Sequence, residues 1–492
     1  MNQHVEDKVM TANQALIQEL CKLPHETEWV EFKHNNYDPE MIGQDISALA
    51  NSAALHEKNK AYMLWGINDA DHEIVGTKHT LQSLKKGNEE LENWLRGLLS
   101  NNAEFSFETE TIDDRKIGIL VISRAFGYPV TFEKVEYVRV GSYTKKLSSY
   151  PSLQAELWDK IRSIRFEEYP AVENLTLSDT FQMLQVSSYF DLMSQKMPSD
   201  SESIAHYLIE DGILSHGDNG LYSITNLGAI LFAKDLTAFS SLSRKALRII
   251  QYKDNNRMEM LKEHTFTSGY ATGFETALQY MYALLPSQET IPQSGIRTKI
   301  TAYPEIAIRE AVANALIHQD FSVRGSGPMV EIFASRIEIT NPGSPLIDTM
   351  RILDNPPRSR NEKLASLMRR LHICEEAGTG WDKMVLACEY AQLPAPRMTT
   401  YANDTRVTLY STIKYTDLSL EDRIWACYLH ACILFLQGEQ MSNASLRERF
   451  GLATSSSASI SRLIKDTVQQ NLIKPADHST APRYMRYIPI WA

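Results

Sequence analysis

The sequence lacks several features that would assign it to a specialised class of protein. No apolar run reaches the roughly 18 residues that a membrane-spanning helix needs, and residues 1–20 are too polar for the apolar centre of a signal peptide. The five cysteines form no CxxC pair, which argues against a disulfide framework and against a structural zinc site. We therefore expect a cytoplasmic protein in a reducing compartment, with no membrane as a partner.

An excess of positive charge is also missing. The formal net charge is −11, whereas proteins that coat nucleic acid without sequence preference are usually basic. Any contact with nucleic acid must therefore be local. The chain has 492 residues without an internal repeat, 43% of them apolar and 23% charged. This composition is typical of an ordinary globular protein with about two to four domains.

The pattern of apolar residues predicts a multidomain α+β protein in three parts. Residues 1–165 alternate helical and strand patterns and form a first α+β domain. Residues 166–412 begin with a mostly helical connector, over 170–235, and continue as mixed strands and helices. Residues 413–492 contain an apolar helix, a short helix, a turn and a longer helix before two strand-like stretches, which is the order of a winged helix-turn-helix.

The first candidate site is a group of charged residues around the sequence Glu-Thr-Glu-Trp-Val-Glu-Phe-Lys at 26–33. On a strand, alternation places Glu31 and Lys33 on one face, with Glu26 on the approach. Asp69 follows an apolar strand at a turn. Three carboxylates can hold Mg²⁺ or Mn²⁺, and a lysine can stabilise the charge of a phosphodiester transition state. The alternative is a solvated strand face with an aspartate that only forms the turn.

Four segments in the same order resemble the Schlafen AlbA-type domain: residues 26–33, 42–52, 63–69 and 137–142. The resemblance implies a nucleic-acid-binding or nuclease domain. Its catalytic and metal-binding residues would be Glu26, Glu31 and Asp69, with Lys33 beside them. Candidates for nucleic-acid contact at the closing strand are Arg139, Lys145 and Lys146.

The second candidate site is the helical pattern at 304–320. Glu310, Asn314 and His318 follow each other at i, i+4 and i+8 and therefore share one face. An asparagine amide can ligate Mg²⁺ and a glutamate can orient a water, which is the chemistry of a Mg²⁺–triphosphate site. The alternative is the solvated polar face of an amphipathic helix.

This Glu-x3-Asn-x3-His pattern resembles the metal-binding helix of the GHKL ATPases, an α/β sandwich. Residues 335–343 resemble the strand and loop of a divergent branch of that family, and Gly378-Thr-Gly380 resembles its later glycine box. The resemblance implies that ATP is a ligand, with Glu310 as the hydrolytic base and Asn314 as the Mg²⁺ ligand. Asn341 and Gly343 would lie near the base, and Gly378 and Gly380 near the phosphates. His318 is a further candidate for cofactor binding.

The sequence departs from the family at the adenine site, where Asn341 replaces an aspartate. An amide oxygen can still accept a hydrogen bond from the adenine amino group, but it carries no charge. ATP binding is therefore expected, while adenine specificity and ATP hydrolysis stay open.

The C-terminal part is more basic than the chain as a whole. Residues 418–492 contain eight lysines and arginines against six acidic residues. Its longer helix begins with a serine-rich run at 455–461 that can bond phosphates or base edges. The basic candidates for nucleic-acid contact are Arg462, Lys465, Arg483 and Arg486. The alternative is a winged helix used for dimerisation through its apolar helix at 425–436.

Together these patterns predict a metal-dependent endonuclease, with RNA, perhaps tRNA, favoured over DNA, that is regulated by ATP. Such a protein would suit bacterial stress or anti-phage defence. A second interpretation is an ATP-responsive transcriptional regulator that binds DNA and cleaves nothing. A third is a central scaffold that only organises a homo-oligomer.

Overall fold

The computed structural model describes residues 12–23, 26–69, 71–163, 165–217, 220–285, 287–290, 298–323, 325–356, 358–374, 380–477, 479, 481 and 484–492. The chain forms two compact units, Met1–Tyr169 and Pro170–Ala492. The first boundary lies close to the expected residue 165, and the further division at residue 412 stays a prediction. No helix in the described ranges is long and apolar enough to cross a membrane.

The first unit mixes helices and strands, as the sequence predicted. Its helices are α1 (Ala12–Leu20), α2 (Pro39–Leu55), α3 (Leu91–Leu98) and α4 (Pro151–Ser163). Its strands are β1 (Val30–Lys33), β2 (Lys60–Trp65), β3 (Lys85–Lys86), β4 (Glu89–Glu90), β5 (Phe105–Ile112), β6 (Arg115–Ser123), β7 (Thr131–Phe132), β8 (Val135–Val140) and β9 (Tyr143–Lys146). After β2, Ile67 and Ile74 form an isolated antiparallel bridge.

A four-stranded sheet in the order β1-β2-β6-β5 separates two apolar layers. Val30 and Phe32 face the layer that contains α1, while Met63 and Trp65 face the layer that contains α2. Since β1 and β2 are parallel with Glu31 opposite Met63, the side chain of Glu31 lies on the α2 side of the sheet. The sheet therefore directs Glu31 toward a covered face.

Small polar residues of α2 attach this helix to β8. The amide Nδ2 of Asn51 donates to the carbonyl oxygens of Val130 and Tyr137, and the amide of Arg139 donates to Ser52 Oγ at 2.8 Å. Buried polar groups that are fully bonded fix one arrangement of neighbouring elements. This network holds the strand that carries Arg139 against α2, and so against the charged face of β1.

The second unit contains the remaining elements. Its helices are α5 (Leu177–Met183), α6 (Val186–Leu192), α7 (Ser201–Glu210), α8 (Asn226–Phe232), α9 (Tyr270–Leu284), α10 (Glu305–Ile317), α11 (Glu362–Arg370), α12 (Gly380–Tyr390), α13 (Leu420–Leu436), α14 (Asn443–Arg449) and α15 (Ser457–Gln469). Its strands are β10 (Pro170–Leu175), β11 (Leu214–His216), β12 (Tyr222–Thr225), β13 (Leu247–Tyr252), β14 (Met260–Phe266), β15 (Ser287–Thr290), β16 (Thr298–Thr301), β17 (Met329–Ile332), β18 (Arg336–Pro342), β19 (Arg397–Tyr401), β20 (Asp404–Tyr410), β21 (Ile473–Pro475) and β22 (Tyr487–Pro489).

The segment expected to be a helical connector also contains a sheet. Strands β10, β12 and β11 form it in that order, with three helices between β10 and the β11–β12 hairpin. Residues 170–225 hold one lysine against eight acidic residues.

A six-stranded sheet in the order β14-β13-β17-β18-β20-β19 forms the centre of the second unit. Helix α10 packs on β18 and β20 and against α12, because Ile308, Ala311 and Val312 form a buried apolar stripe. This packing turns the polar face of α10 toward the first turn of α12.

The last helices, α13 to α15, enclose an apolar core with β21 and β22, which pair antiparallel. The apolar helix expected at 425–436 lies within α13, and the order of an apolar helix, a short helix, a longer helix and two strands is the one expected from the sequence. This core also includes Val385 of α12 and Ala395, so the C-terminal helices are continuous with the second unit.

Candidate functional sites

Four of the predicted residues come together at the end of β1 in the first unit. Glu31 is only 5% exposed. One of its carboxylate oxygens contacts Lys33 Nζ and the other contacts the guanidinium of Arg139, whose side chain is 2% exposed. Glu26 lies 3.7 Å from Arg139 Nη2 and accepts a 2.8 Å hydrogen bond from the Phe32 amide. Two cations therefore balance the two glutamates.

Asp45 of α2 is a further member of this cluster that sequence reasoning missed. Its Oδ2 lies 3.9 Å from Lys33 Nζ, and its Oδ1 accepts a 2.6 Å hydrogen bond from Thr144 Oγ1. Burial raises the pKa of the Asp45 carboxyl, although the Thr144 hydroxyl and Lys33 oppose this effect. The sequence does contain a signal for Asp45, because its carboxylate lies between Ile42 and Ile46 on the apolar side of the helix.

Asp69 lies at the exposed end of the cluster, after β2. Burial raises the pKa of its carboxyl, with Lys33 acting against this and Glu31 adding to it. Burial likewise raises the pKa of Glu26, which its hydrogen bond from the Phe32 amide opposes. The structure therefore brings Asp69 within electrostatic reach of the predicted pair.

Cations of the protein contact the carboxylates at the centre of the cluster. Within the residues that the structure describes, no three or more His, Cys, Asp or Glu side chains are placed to hold a metal ion. The physical reason is that cations of the protein already hold both oxygens of Glu31. A divalent ion would have to compete with Lys33 and Arg139 for these carboxylates.

The basic residues predicted for nucleic-acid contact differ in exposure. Arg139 is buried in the cluster, whereas Lys145 and Lys146 are exposed on β9. Arg462 and Lys465 are exposed on α15, and so is Arg486 before β22. Arg483 lies outside the described residues.

The second unit contains an open cavity of about 790 Å³ between α10, β18, β20 and the first turn of α12. The structure describes six of the predicted nucleotide-site residues, and five of them line this cavity: Glu310, Asn314, His318, Asn341 and Gly380. Gly378 lies outside the described residues. The helical spacing of 310, 314 and 318 thus brings these residues to one wall, while strand pairing brings Asn341 to another.

Two glycines permit close approaches beside the cavity. A Cβ atom on Gly380 would lie 2.5 Å from Glu310 Oε2, so any side chain there would displace the carboxylate. Gly343 has a φ of +106° and lies against Asp320 and Arg360, a conformation and a space that suit only glycine. Gly343 therefore shapes the loop after β18 without lining the cavity.

His318 follows the last residue of α10 and has a lowered pKa. Burial and the nearby Arg360 guanidinium lower its pKa to about 4. Arg360 donates to the carbonyl oxygens of His318 at 3.0 Å and of Ser344 at 2.8 Å, and so fixes this corner of the cavity.

Thr405 is a cavity residue that sequence reasoning missed. It pairs with Asn341 across β18 and β20, and both residues line the cavity. Asn341 Nδ2 donates to the Pro342 carbonyl at 3.1 Å, and Thr405 Oγ1 donates to the Gly343 carbonyl at 2.6 Å. Only the register of the sheet reveals this neighbour, because no local motif marks Thr405.

Two segments of the chain, each containing residues of one of these sites, match known protein families. Residues 26–148 match the Schlafen AlbA_2 family. Residues 325–409 match the HATPase_c_4 family, described as "Putative ATP-dependent DNA helicase recG C-terminal". The Schlafen AlbA_2 match contains the whole charged cluster, and the ATPase-type match contains Asn341, Gly343, Gly380 and Thr405. Helix α10 precedes the second match, so the structure alone places Glu310 and Asn314 beside it.

Comparison with whole proteins adds little to these two matches. No curated protein matches the chain. A similar solved structure is the DIP2311 protein from Corynebacterium diphtheriae, which is 17% identical, with 94% of this chain and 92% of that chain covered and a TM-score of 0.42. The Schlafen-type and ATPase-type domains indicate a protein that binds ATP and acts on or with nucleic acid.

Proposed function

We propose that this protein binds Mg²⁺–ATP in its second unit and that the nucleotide controls its contact with nucleic acid. The observation that carries the proposal is the cavity of about 790 Å³, where residues from α10, β18, β20 and α12 converge. Asn314 supplies an amide oxygen suited to Mg²⁺, and Glu310 a carboxylate able to orient a water. Asn341 supplies an acceptor for an exocyclic amino group of the base.

The nucleic-acid surface that we propose is the exposed face of α15. Ser461, Arg462 and Lys465 are solvent-exposed there, within little more than one helical turn. The order of α13, α14, α15, β21 and β22 supports a winged helix-turn-helix, in which such a helix contacts a groove. The acidic segment 170–225 has a similar order of elements, but its charge makes it unsuited to phosphates.

Calorimetry on the full-length chain tests the nucleotide proposal. We expect Mg²⁺–ATP to bind the wild type and Asn314→Ala to bind at least about 10-fold more weakly, since a metal ligand is lost. Asn256→Ala is the matched control, because Asn256 is exposed and does not line the cavity. Equal binding by wild type and Asn314→Ala would refute this site.

Fluorescence anisotropy with labelled single-stranded RNA and duplex DNA tests the α15 surface. The double variant Arg462→Ala/Lys465→Ala should bind several-fold more weakly and with a shallower salt dependence, because two phosphate contacts are lost. Lys196→Ala, an exposed lysine in the acidic segment, is the control. An unchanged salt slope would point to a dimerisation role for these helices.

A metal-dependent endonuclease is a second candidate function. It is favoured by the convergence of Glu26, Glu31 and Lys33, with Asp69 in electrostatic reach. Cleavage would need Mg²⁺ or Mn²⁺ to displace Lys33 or Arg139 from the glutamates.

Asp69→Asn is the most informative variant for this candidate, because Asp69 is exposed and its change leaves the buried ion pairs intact. A panel of tRNA, rRNA and single-stranded DNA is incubated with either metal, with and without ATP. Cleavage by the wild type and by Asp71→Asn, but not by Asp69→Asn, would establish the nuclease. No cleavage under any condition would leave the binding protein as the function.

A further inference from the structure

Helix α12 begins at the nucleotide cavity. Gly380 and Trp381 both line the cavity. Gly380 is so close to Glu310 that even a methyl group would not fit between them. Trp381 also packs against the apolar core of the C-terminal helices. Trp381 therefore lies between the cavity and that core.

The other end of α12 is bound to α13 and α14 by buried charges. Glu389 Oε2 lies 3.0 Å from His430 Nδ1, and Glu389 Oε1 lies 3.7 Å from Arg449 Nε. Arg449 Nη2 donates to the Leu393 carbonyl at 2.8 Å. Buried charges hold a defined geometry, because any separation leaves an uncompensated charge. A displacement of α12 must therefore move α13 and α14 or break these contacts.

A second connection joins another part of the cavity wall to the C-terminal helices. Ile352 and Asn355 line it, and the Met350 carbonyl beside them accepts a hydrogen bond from Tyr428 Oη of α13. Tyr428 Oη in turn accepts from Trp491 Nε1 at 3.0 Å. Two separate walls of the cavity are thus bonded to the same group of helices.

We infer that helix α12 and residues 349–355 couple the cavity to α13–α15, so that Mg²⁺–ATP binding changes the packing of the C-terminal helices. The inference rests on the proposed nucleotide binding. Close-packed elements respond to small shifts by moving between discrete arrangements, which makes α12 a mechanical link. By linkage, a change that uncouples α13 and α14 from the cavity alters nucleotide affinity only by the size of the coupling.

Hydrogen exchange on the full-length chain, with and without saturating Mg²⁺–ATP, tests the inference. In the wild type we expect the nucleotide to change the exchange of α13 and α14 amides by several-fold. In Glu389→Gln, which removes the buried charge, this distant response should be lost. The protection of α10 by the nucleotide should remain, and ATP affinity should stay within about 3-fold of wild type. Glu439→Gln, an exposed glutamate after α13, should behave as wild type.

Tyr428→Phe is the second variant, and it is used if Glu389→Gln does not fold. It keeps the ring and removes the hydrogen bonds to Met350 and Trp491, and it should also reduce the distant response. ATP binding with protection confined to α10 and the cavity wall would overturn the coupling and leave the nucleotide function intact. A chain that binds no Mg²⁺–ATP would overturn both.

Discussion

The charged cluster of the first unit and the cavity of the second are built from similar groups and differ in what those groups face. In the cluster, the cations Lys33 and Arg139 hold both oxygens of Glu31. In the cavity, Glu310, Asn314 and Asn341 line an open volume. Carboxylates next to fixed cations form a balanced ion network, whereas polar groups around a free volume can receive a ligand. A motif therefore has to be judged by the space around it as well as by its residues.

The largest expected effect comes from breaking the balance of the cluster. Glu31→Ala leaves the buried Arg139 with Glu26, at 3.7 Å, as its remaining carboxylate partner. Removing one member of a buried ion pair costs about 3–5 kcal/mol. Urea titration followed by hydrogen exchange of α2 measures this loss. Glu28→Ala, at a partly exposed glutamate, should cost less than about 1 kcal/mol. Equal losses would mean that the cluster is not a network of this kind.

The next largest effect is a pH dependence of the stability, which arises from His318 in the cavity wall. His318 has its pKa lowered to about 4, while the unfolded chain titrates near 6.5. Between these values the unfolded state binds the extra proton, so stability falls as pH falls from about 6.5 to 4, by up to about 3 kcal/mol. His318→Gln should flatten this dependence in denaturation curves of the second unit, whereas His206→Gln, at an exposed histidine, should not. An unchanged slope in His318→Gln would exclude His318 as its source.

Filling the space beside Glu310 should affect the cavity moderately. Gly380→Ala introduces a methyl group 2.5 Å from Glu310 Oε2, and overpacking of this kind costs about 1–3 kcal/mol. We expect Mg²⁺–ATP affinity to fall by about 10-fold in calorimetry. Gly97→Ala, where a Cβ meets no atom within 4 Å, is the control. Wild-type affinity in Gly380→Ala would show that ligand binding does not involve this corner.

The smallest expected effect tests whether Lys33 limits the binding of a metal ion to the cluster. Lys33→Met removes one of the two cations on Glu31 and should strengthen Mn²⁺ binding by about 5-fold, or roughly 1 kcal/mol. Lys145→Met, on the exposed face of β9, should leave it unchanged. Mn²⁺ titration followed by electron paramagnetic resonance measures both. If Lys33→Met does not bind Mn²⁺ more tightly, competition from this lysine is not what limits the metal.

Local sequence patterns predicted many helices and strands well, but they did not predict which elements pack around the candidate sites. The helix α15 buries one face, at Ile460, Leu463, Ile464 and Thr467, so its apolar period is visible in the sequence, whereas α2 is buried almost all round from Ile42 to Leu55. Strand alternation placed Glu31 and Lys33 on one face, but it could not reveal that α2 and β8 cover that face. Thr405 reaches its site through strand pairing between distant segments, and Arg139 reaches the cluster through the packing of β8 against α2; neither arrangement leaves a local trace in the sequence.

Strand β14 has a consequence for how this protein behaves at high concentration. It forms one edge of the six-stranded sheet, nearly all of it exposed, and Met258 just before it is 90% exposed. An open strand edge can pair with another chain and begin aggregation. Lys262 and Glu263 place opposite charges in its middle, which oppose such pairing. These two surface residues, which belong to neither site, therefore act against association of the chain through this edge.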